Sequence, residues 1–281
     1  MSVRSPCREE IASIVEFALA EDIGSGDITA MLIPQETEAE AMIICRENAV
    51  LCGQAWFDEV FRQLDDSVKV SWQAAEGEDI APDQVICRLK GLARSLLTGE
   101  RCALNFLQTL SGTATIARQY ASLVEGTPIR VLDTRKTIPG LRVAQKYATV
   151  VGGCHNHRMG LYDAFLIKEN HIAACGGIGA AITAARQIAP GKPVEVEVET
   201  LTEYREALAA QADIIMLDNF TPAQVKEAVA EKTPGVKIEI SGNLDMASIG
   251  SVAIEGVDYL SSGSITKHCR AIDFSMRFSS H

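Results

Sequence analysis

No stretch of the 281-residue sequence approaches the roughly 20 consecutive apolar residues that a bilayer-crossing helix needs. The first residues, "MSVRSPCREEIASIVEF", carry acids where a secretory signal would need an unbroken apolar segment, so the expected location is the cytoplasm. The eight cysteines (7, 45, 52, 87, 102, 154, 175 and 269) are scattered without C-x-x-C spacing, which favours free thiols in a reducing compartment over a disulfide framework. Cations are outnumbered, 26 Lys and Arg against 37 Asp and Glu, for a formal net charge of -11. No Lys- and Arg-rich face stands out to neutralise phosphates, which argues against generic binding to nucleic acid or an anionic membrane. A small anionic ligand is untouched by that argument, because a cleft can focus local positive charge inside an acidic protein. No sequence repeat and no low-complexity segment is evident.

What is present is a core-sized apolar fraction, 47% of residues, enough for a large domain with a smaller companion. Residues 8–21 place Ile11, Ile14, Val15, Ala18 and Leu19 at the spacing of an amphipathic helix, stopped by "DIGSGD". From about 38 to 90 the pattern turns to short β-rich runs, "AEAMIICRENAVLCG", "VKVSWQAAEG" and "QVICRLKG", separated by Gly and Asp turns. Helical periodicity returns over 94–124, with "SGT" at 111–113 read as a break. After residue 128 short β-branched runs alternate with helical segments: "IRVLD", "AFLIK", "VEVEVE", "DIIMLD", "KIEIS" and "DYLSS". Six such units predict βαβ connections and a parallel sheet, a barrel or near-barrel rather than a short open sheet.

Each predicted strand runs into a polar cluster. "IRVL" leads to Asp133, Arg135 and Lys136; "AFLI" to Lys168, Glu169, Asn170 and His171; "VEVEVE" carries Glu195, Glu197 and Glu199. "IIML" leads to Asp218 and Asn219, "IEI" to Ser241, Gly242 and Asn243, and "DYL" to Ser261, Ser262, Gly263 and Ser264. Any one cluster is also what an ordinary solvated loop contains. The series is sorted, however: cations first, carboxylates next, small Ser, Gly and Asn last. Parallel α/β folds gather strand carboxyl ends on one face, so the clusters are expected to meet in one mouth with an anion pocket, acidic groups and a phosphate cradle. "CHNHRMG" at 154–160 offers Cys154, His155 and His157 to a metal, but no partner pair completes a zinc set. His157 and Arg158 fit better beside Arg135 and Lys168 around an anion, whereas His155 reads as structural. Arg101, on a predicted helix, is by itself as easily a surface salt-bridge residue.

Taken together and in order, "EDIGSGDIT", "LLTGERCALNFLQTLSG", "LDTRKTIPGLR", "NHRMGLYDAFLIKENHI", "VEVEVE", "DIIMLDNF", "EISGN", "LSSGSITKH" and "AIDFSMRF" closely resemble the quinolinate phosphoribosyltransferases, a type II phosphoribosyltransferase family. The resemblance implies an N-terminal α/β sandwich domain over 1–112 and an incomplete, six- to seven-stranded α/β barrel over 113–269. A tail, about 270–281, is expected to return to the first domain. It implies transfer of the phosphoribosyl group of phosphoribosyl pyrophosphate to quinolinate with decarboxylation, giving nicotinate mononucleotide, pyrophosphate and CO2 in NAD biosynthesis. The same fold acting on nicotinate or another anionic acceptor is the alternative. Carried over by position, Arg101, Thr134, Arg135, His157, Arg158 and Lys168 would hold the substrates, Arg101 reaching a neighbouring site in a homodimer. Lys136, Glu197 and Asp218 match the catalytic and sugar-facing positions, the two acids also facing Mg2+ on the donor. Ser241, Gly242, Asn243, Ser262, Gly263 and Ser264 match the loops around the donor phosphate. Such chemistry needs positioning and electrostatics, in keeping with the lack of a Ser-His-Asp or Cys-His nucleophile signature.

Overall fold

The computed structural model describes residues 6–242 and 244–279, and the chain divides into two units. Of the described residues, one unit collects 6–118, 138–153 and 268–279; the other holds 119–137, 154–242 and 244–267. In the first, the amphipathic segment forms α1 (Arg8–Ile23), burying Val15 and Leu19 and ending at Gly24, whose φ of 52° suits a residue without Cβ. Strand β1 (Glu38–Cys45) is followed by the two-residue β2 (Ala49–Val50) and by α2 (Gln54–Leu64). Helix α2 buries Trp56, Phe57, Val60 and Phe61, a stripe at helical spacing. Then come β3 (Lys69–Trp72), the short β4 (Asp79–Ile80), β5 (Val85–Leu92) and the long α3 (Ala93–Ser122).

The break expected at Ser111–Thr113 is absent, because α3 runs through it for 30 residues. Each of the three residues serves a contact instead. The Ser111 hydroxyl donates to the Cys52 carbonyl and accepts the Cys52 N–H, while Thr113 donates back to the Thr109 carbonyl. Gly112 is where another backbone comes close: a Cβ there would lie 2.0 Å from the Arg270 carbonyl oxygen. Helix α4 (Arg142–Val151) completes the helices of this unit.

The second unit is the expected alternation. Strands β6 (Arg130–Leu132), β7 (Phe165–Ile167), β8 (Val194–Val198), β9 (Ile214–Asp218), β10 (Lys237–Ser241) and β11 (Tyr259–Ser261) form one parallel sheet. Its order is β6-β11-β10-β9-β8-β7. The edge strands β6 and β7 share no ladder among the described residues, and β6 gains only a single bridge, Leu132 to His155. The barrel is therefore incomplete. The connecting helices are α5 (Glu169–Cys175), α6 (Ile178–Ile188), α7 (Leu201–Ala209), α8 (Pro222–Ala230), α9 (Ile249–Val252) and α10 (Ser264–Lys267). Thr200 and Thr221 start α7 and α8 by accepting the N–H groups of Glu203 and Gln224. The last strand, β12 (Phe274–Phe278), pairs antiparallel with β1, making the first unit's sheet β12-β1-β5-β3.

Within a strand alternate side chains face opposite ways. Val194, Val196 and Val198 of β8 therefore share one face, and Glu195 and Glu197 share the other. In β9 the same rule separates Ile215 and Leu217 from Met216 and Asp218, and in β10 Ile238 and Ile240 from Glu239 and Ser241.

The close approach at Gly112 gives a test of the long helix. Gly112→Ala should lower stability by about 1–3 kcal/mol, the usual cost of forcing atoms into a filled space, despite alanine's better helix propensity. Equilibrium urea unfolding measures it, and a stabilised variant would contradict the backbone contact.

Candidate active site

The carboxyl ends of β6 to β11 surround two cavities that share a wall. One, of about 320 Å³, is lined by Arg135, His157, Arg158 and Lys168, with Leu166 and Met216 as its apolar surface. The other, of about 300 Å³, is lined by Asp218, Asn219, Gly242 and the Ser262–Ser264 turn, with Lys267 beside it. Thr134, Lys136, Lys168, Glu197, Ser241 and Ser261 line both.

Local structure explains how each group is presented. Asp133, at the end of β6, is fully buried and serves as a bracket: its carboxylate accepts the His157 N–H at 2.9 Å and the Asn156 side-chain amide at 2.6 Å. That ties 154–158 to the strand end and brings His157 and Arg158 beside Arg135. The Arg158 guanidinium is largely buried and donates to the Ala164 carbonyl at 3.3 Å. Burial first, and then the neighbouring Arg135 charge, lower its proton affinity below the ordinary arginine value. Lys136 is held through its main chain, its N–H bonding to the Thr134 hydroxyl and its carbonyl accepting from Thr266. Its side chain passes Gly263, where an added Cβ would lie 2.7 Å from Lys136 Cδ. Lys168, just after β7, forms an ion pair with Glu197 of β8. Asn219 adopts a left-handed backbone, φ 56°, and its side chain donates to Asp218 at 2.8 Å. Gly242, at φ 109°, lies so near that a Cβ would meet the Asn219 amide oxygen at 2.4 Å.

Most residues singled out from the sequence thus line one cavity or both. Arg101 lies exposed on α3 in the other unit and lines neither. Asn243 lies outside the described residues. Of the three "VEVEVE" carboxylates only Glu197 reaches the cavities; Glu195 is buried within the sheet's interior, and Glu199 lies past the strand end, its N–H bonded to Glu203. Leu166, Met216 and Lys267 were not singled out as site residues. The apolar pair carries no sequence signal beyond its strands, while Lys267 follows the Ser/Gly turn as a cation. The Cys154 thiol is pushed up to about 12 by burial and by Asp133, so it stays protonated.

The chain matches the family described as "Quinolinate phosphoribosyl transferase" in both parts, the N-terminal domain over residues 27–111 and the C-terminal domain over 113–277. It belongs to the quinolinate phosphoribosyltransferase family. A probable nicotinate-nucleotide pyrophosphorylase [carboxylating] of Bacillus subtilis (strain 168) is 40% identical over 268 residues, covering 95% of this chain and 93% of that one. The solved nicotinate-nucleotide pyrophosphorylase of Francisella tularensis superposes with a TM-score of 0.94 at 46% identity, over 98% of each chain. NadC from Streptococcus pyogenes superposes with a TM-score of 0.95 at 40% identity, over 99% of each chain.

One tier below the mouth of this family member lies a second polar layer. His157 Nε2 is 3.0 Å from Glu195 Oε2 and 3.5 Å from Glu239 Oε1, and all three residues are buried. They form the group of potential metal ligands found among the described residues, in place of the Cys154, His155 and His157 set suggested by sequence proximity. Burial, and then the Glu195 charge, push the Glu239 carboxyl from 4.5 up to about 8. A carboxyl whose affinity is higher folded than unfolded holds its proton in the native state after the unfolded chain has released it. Stability then falls as pH rises from the ordinary carboxyl range through about 8. Glu239→Gln should remove that slope. Between about pH 5 and pH 8 the Tm of the wild type should fall more than that of the variant. Parallel calorimetric profiles would show that Glu239 does not titrate this way.

Proposed function

We propose that the protein transfers the phosphoribosyl group of phosphoribosyl pyrophosphate to quinolinate and releases CO2, yielding nicotinate mononucleotide and pyrophosphate for NAD biosynthesis. The supporting observation is the pair of cavities with a common wall of Lys136, Lys168 and Glu197. The first joins apolar Leu166 and Met216, suited to a flat ring, to Arg135, Arg158 and Lys168, suited to carboxylates. Guanidinium groups clasp carboxylates through paired N–H donors, and the number of cations favours a dicarboxylate over nicotinate. The second is mainly polar, Leu244 aside, with small Ser and Gly residues whose backbone a phosphate can approach.

The reacting centre then falls at the shared wall. As pyrophosphate departs, ribose C1 gains positive charge, and Glu197, facing both cavities, is the carboxylate suited to stabilise it. Lys136 faces the developing negative charge of the leaving group. Asp218, facing only the donor side and steadied by Asn219, is suited to ribose hydroxyls or metal. The hard oxygen donors Asp218 and Glu197 fit Mg2+, which prefers carboxylates together with substrate phosphate. When bound it supplies charge neutralisation for the departing pyrophosphate. After transfer the ring nitrogen is cationic, so loss of the adjacent carboxylate leaves a C2 carbanion stabilised by that charge, and the cavity's task is orientation.

The reading includes a homodimer in which Arg101 of one subunit completes the acceptor cavity of its neighbour, and a cytoplasmic location. No helix among the described residues is long and apolar enough to cross a membrane.

Carboxyl-labelled quinolinate tests the reaction directly. CO2 release should require quinolinate, phosphoribosyl pyrophosphate and Mg2+ together, and no release with all three present would sink the proposal. The shared site is tested by mixing subunits. Arg101→Ala and Glu197→Ala proteins, each inactive alone, should regain activity as mixed dimers, up to about a quarter of wild type if each dimer restores one site. Proven mixed dimers without activity would place Arg101 elsewhere.

A further inference from the structure

The reaction as proposed leaves the buried tier beneath the acceptor cavity without a role. Glu195, Glu239 and Ser261 are 1%, 0% and 4% exposed, and the buried Glu239 carboxyl has Glu195, Ser261 and His157 as its polar neighbours. Charged or polar side chains buried so completely cost stability, so something other than stability accounts for them. The tier meets the acceptor cavity at Ser261 and at His157, and His157 also lines a smaller cavity of about 40 Å³ next to Glu239.

The hydrogen bonds of His157 define its chemical form. Nδ1 accepts the main-chain N–H of Arg158 at 2.8 Å, so Nδ1 carries no hydrogen. The ring proton therefore sits on Nε2, which points at Glu195 and Glu239. Without an acceptor beneath it, nothing in this tier would favour that tautomer. The alternative, hydrogen on Nδ1, would set one N–H against another and displace the Arg158 backbone, whose guanidinium lines the acceptor cavity.

We infer that Glu195, seconded by Glu239, is a positioning residue for acceptor recognition: it holds His157 as the Nε2–H tautomer, and His157 in turn fixes the main chain of Arg158. Neither carboxyl group lines the acceptor cavity, and both act through the ring. The inference rests on reading the cation-lined cavity as the acceptor's seat.

The test separates positioning from plain structural support. Glu195→Leu fills the same buried space without the acceptor and leaves the His157 Nε2–H unpaired, which costs stability. This variant should fold with a lowered Tm. Its KM for quinolinate should rise by about tenfold or more, as for a lost charged hydrogen bond, with the KM for phosphoribosyl pyrophosphate little changed. Glu195→Gln, whose amide oxygen accepts the same N–H, should restore the quinolinate KM. Imidazole ¹⁵N–¹H spectra of the five histidines should give the Nε2–H form for His157 in the wild type and its loss in Glu195→Leu. An Nδ1–H or doubly protonated His157 in the wild type overturns the inference, as does an unchanged quinolinate KM in a folded Glu195→Leu. If Glu195→Leu does not fold, the wild-type spectrum decides. If the wild type releases no CO2 from quinolinate, the acceptor reading falls, while the spectra still judge the tautomer.

Discussion

The parallel register of the six-stranded sheet is the constraint on which the site depends. Ser241 stands opposite Asp218, Glu197 opposite Met216 and Ser261 opposite Leu132, just before Asp133. Because side chains alternate, a one-residue slip of any strand would turn its polar groups toward the helices and its valines and isoleucines into the mouth. The burial of Val194, Val196, Ile238 and Ile240 and the convergence of Glu197, Asp218 and Ser241 are thus one fact seen from two faces.

Electrostatics adds a second constraint. A chain of net charge -11 gathers Arg135, Lys136, Arg158 and Lys168 around adjoining cavities. Like charges this close repel, and Arg158 is buried as well, so anions stand near them: Glu197 paired to Lys168, and Glu195 beneath Arg158. A dicarboxylic acceptor and a polyphosphate donor would complete the balance, so the same groups that bind substrate are tolerable before it arrives.

How far this was legible in the sequence differs from residue to residue. The sorting of cations, acids and small polar residues after successive strands marked the mouth, since strand ends of parallel sheets share a face. "VEVEVE" was harder: period two shows that its acids share a side, but only strand length separates Glu197 at the mouth from Glu195 in the interior and Glu199 beyond the strand. "SGT" misled because Gly and Ser punctuate chains when considered locally, whereas here Gly112 admits the Arg270 carbonyl and Ser111 bonds to Cys52. The pairing of His157 with Glu195 and Glu239 left no trace, because residues 38 and 82 positions later are joined only by folding.

By itself the sequence determined what local physics and periodicity control: the alternation of strands and helices, the parallel sheet, the sorted strand ends and the family resemblance they carry. Only the tertiary structure decided the quantities that depend on distant neighbours. These are the tier of each carboxylate, the ion pair of Lys168 with Glu197, the backbone approaches at Gly112, Gly242 and Gly263, and the tautomer of His157. Burial and hydrogen-bond partners follow from which chain segments meet, and that is a property of packing rather than of any window along the chain.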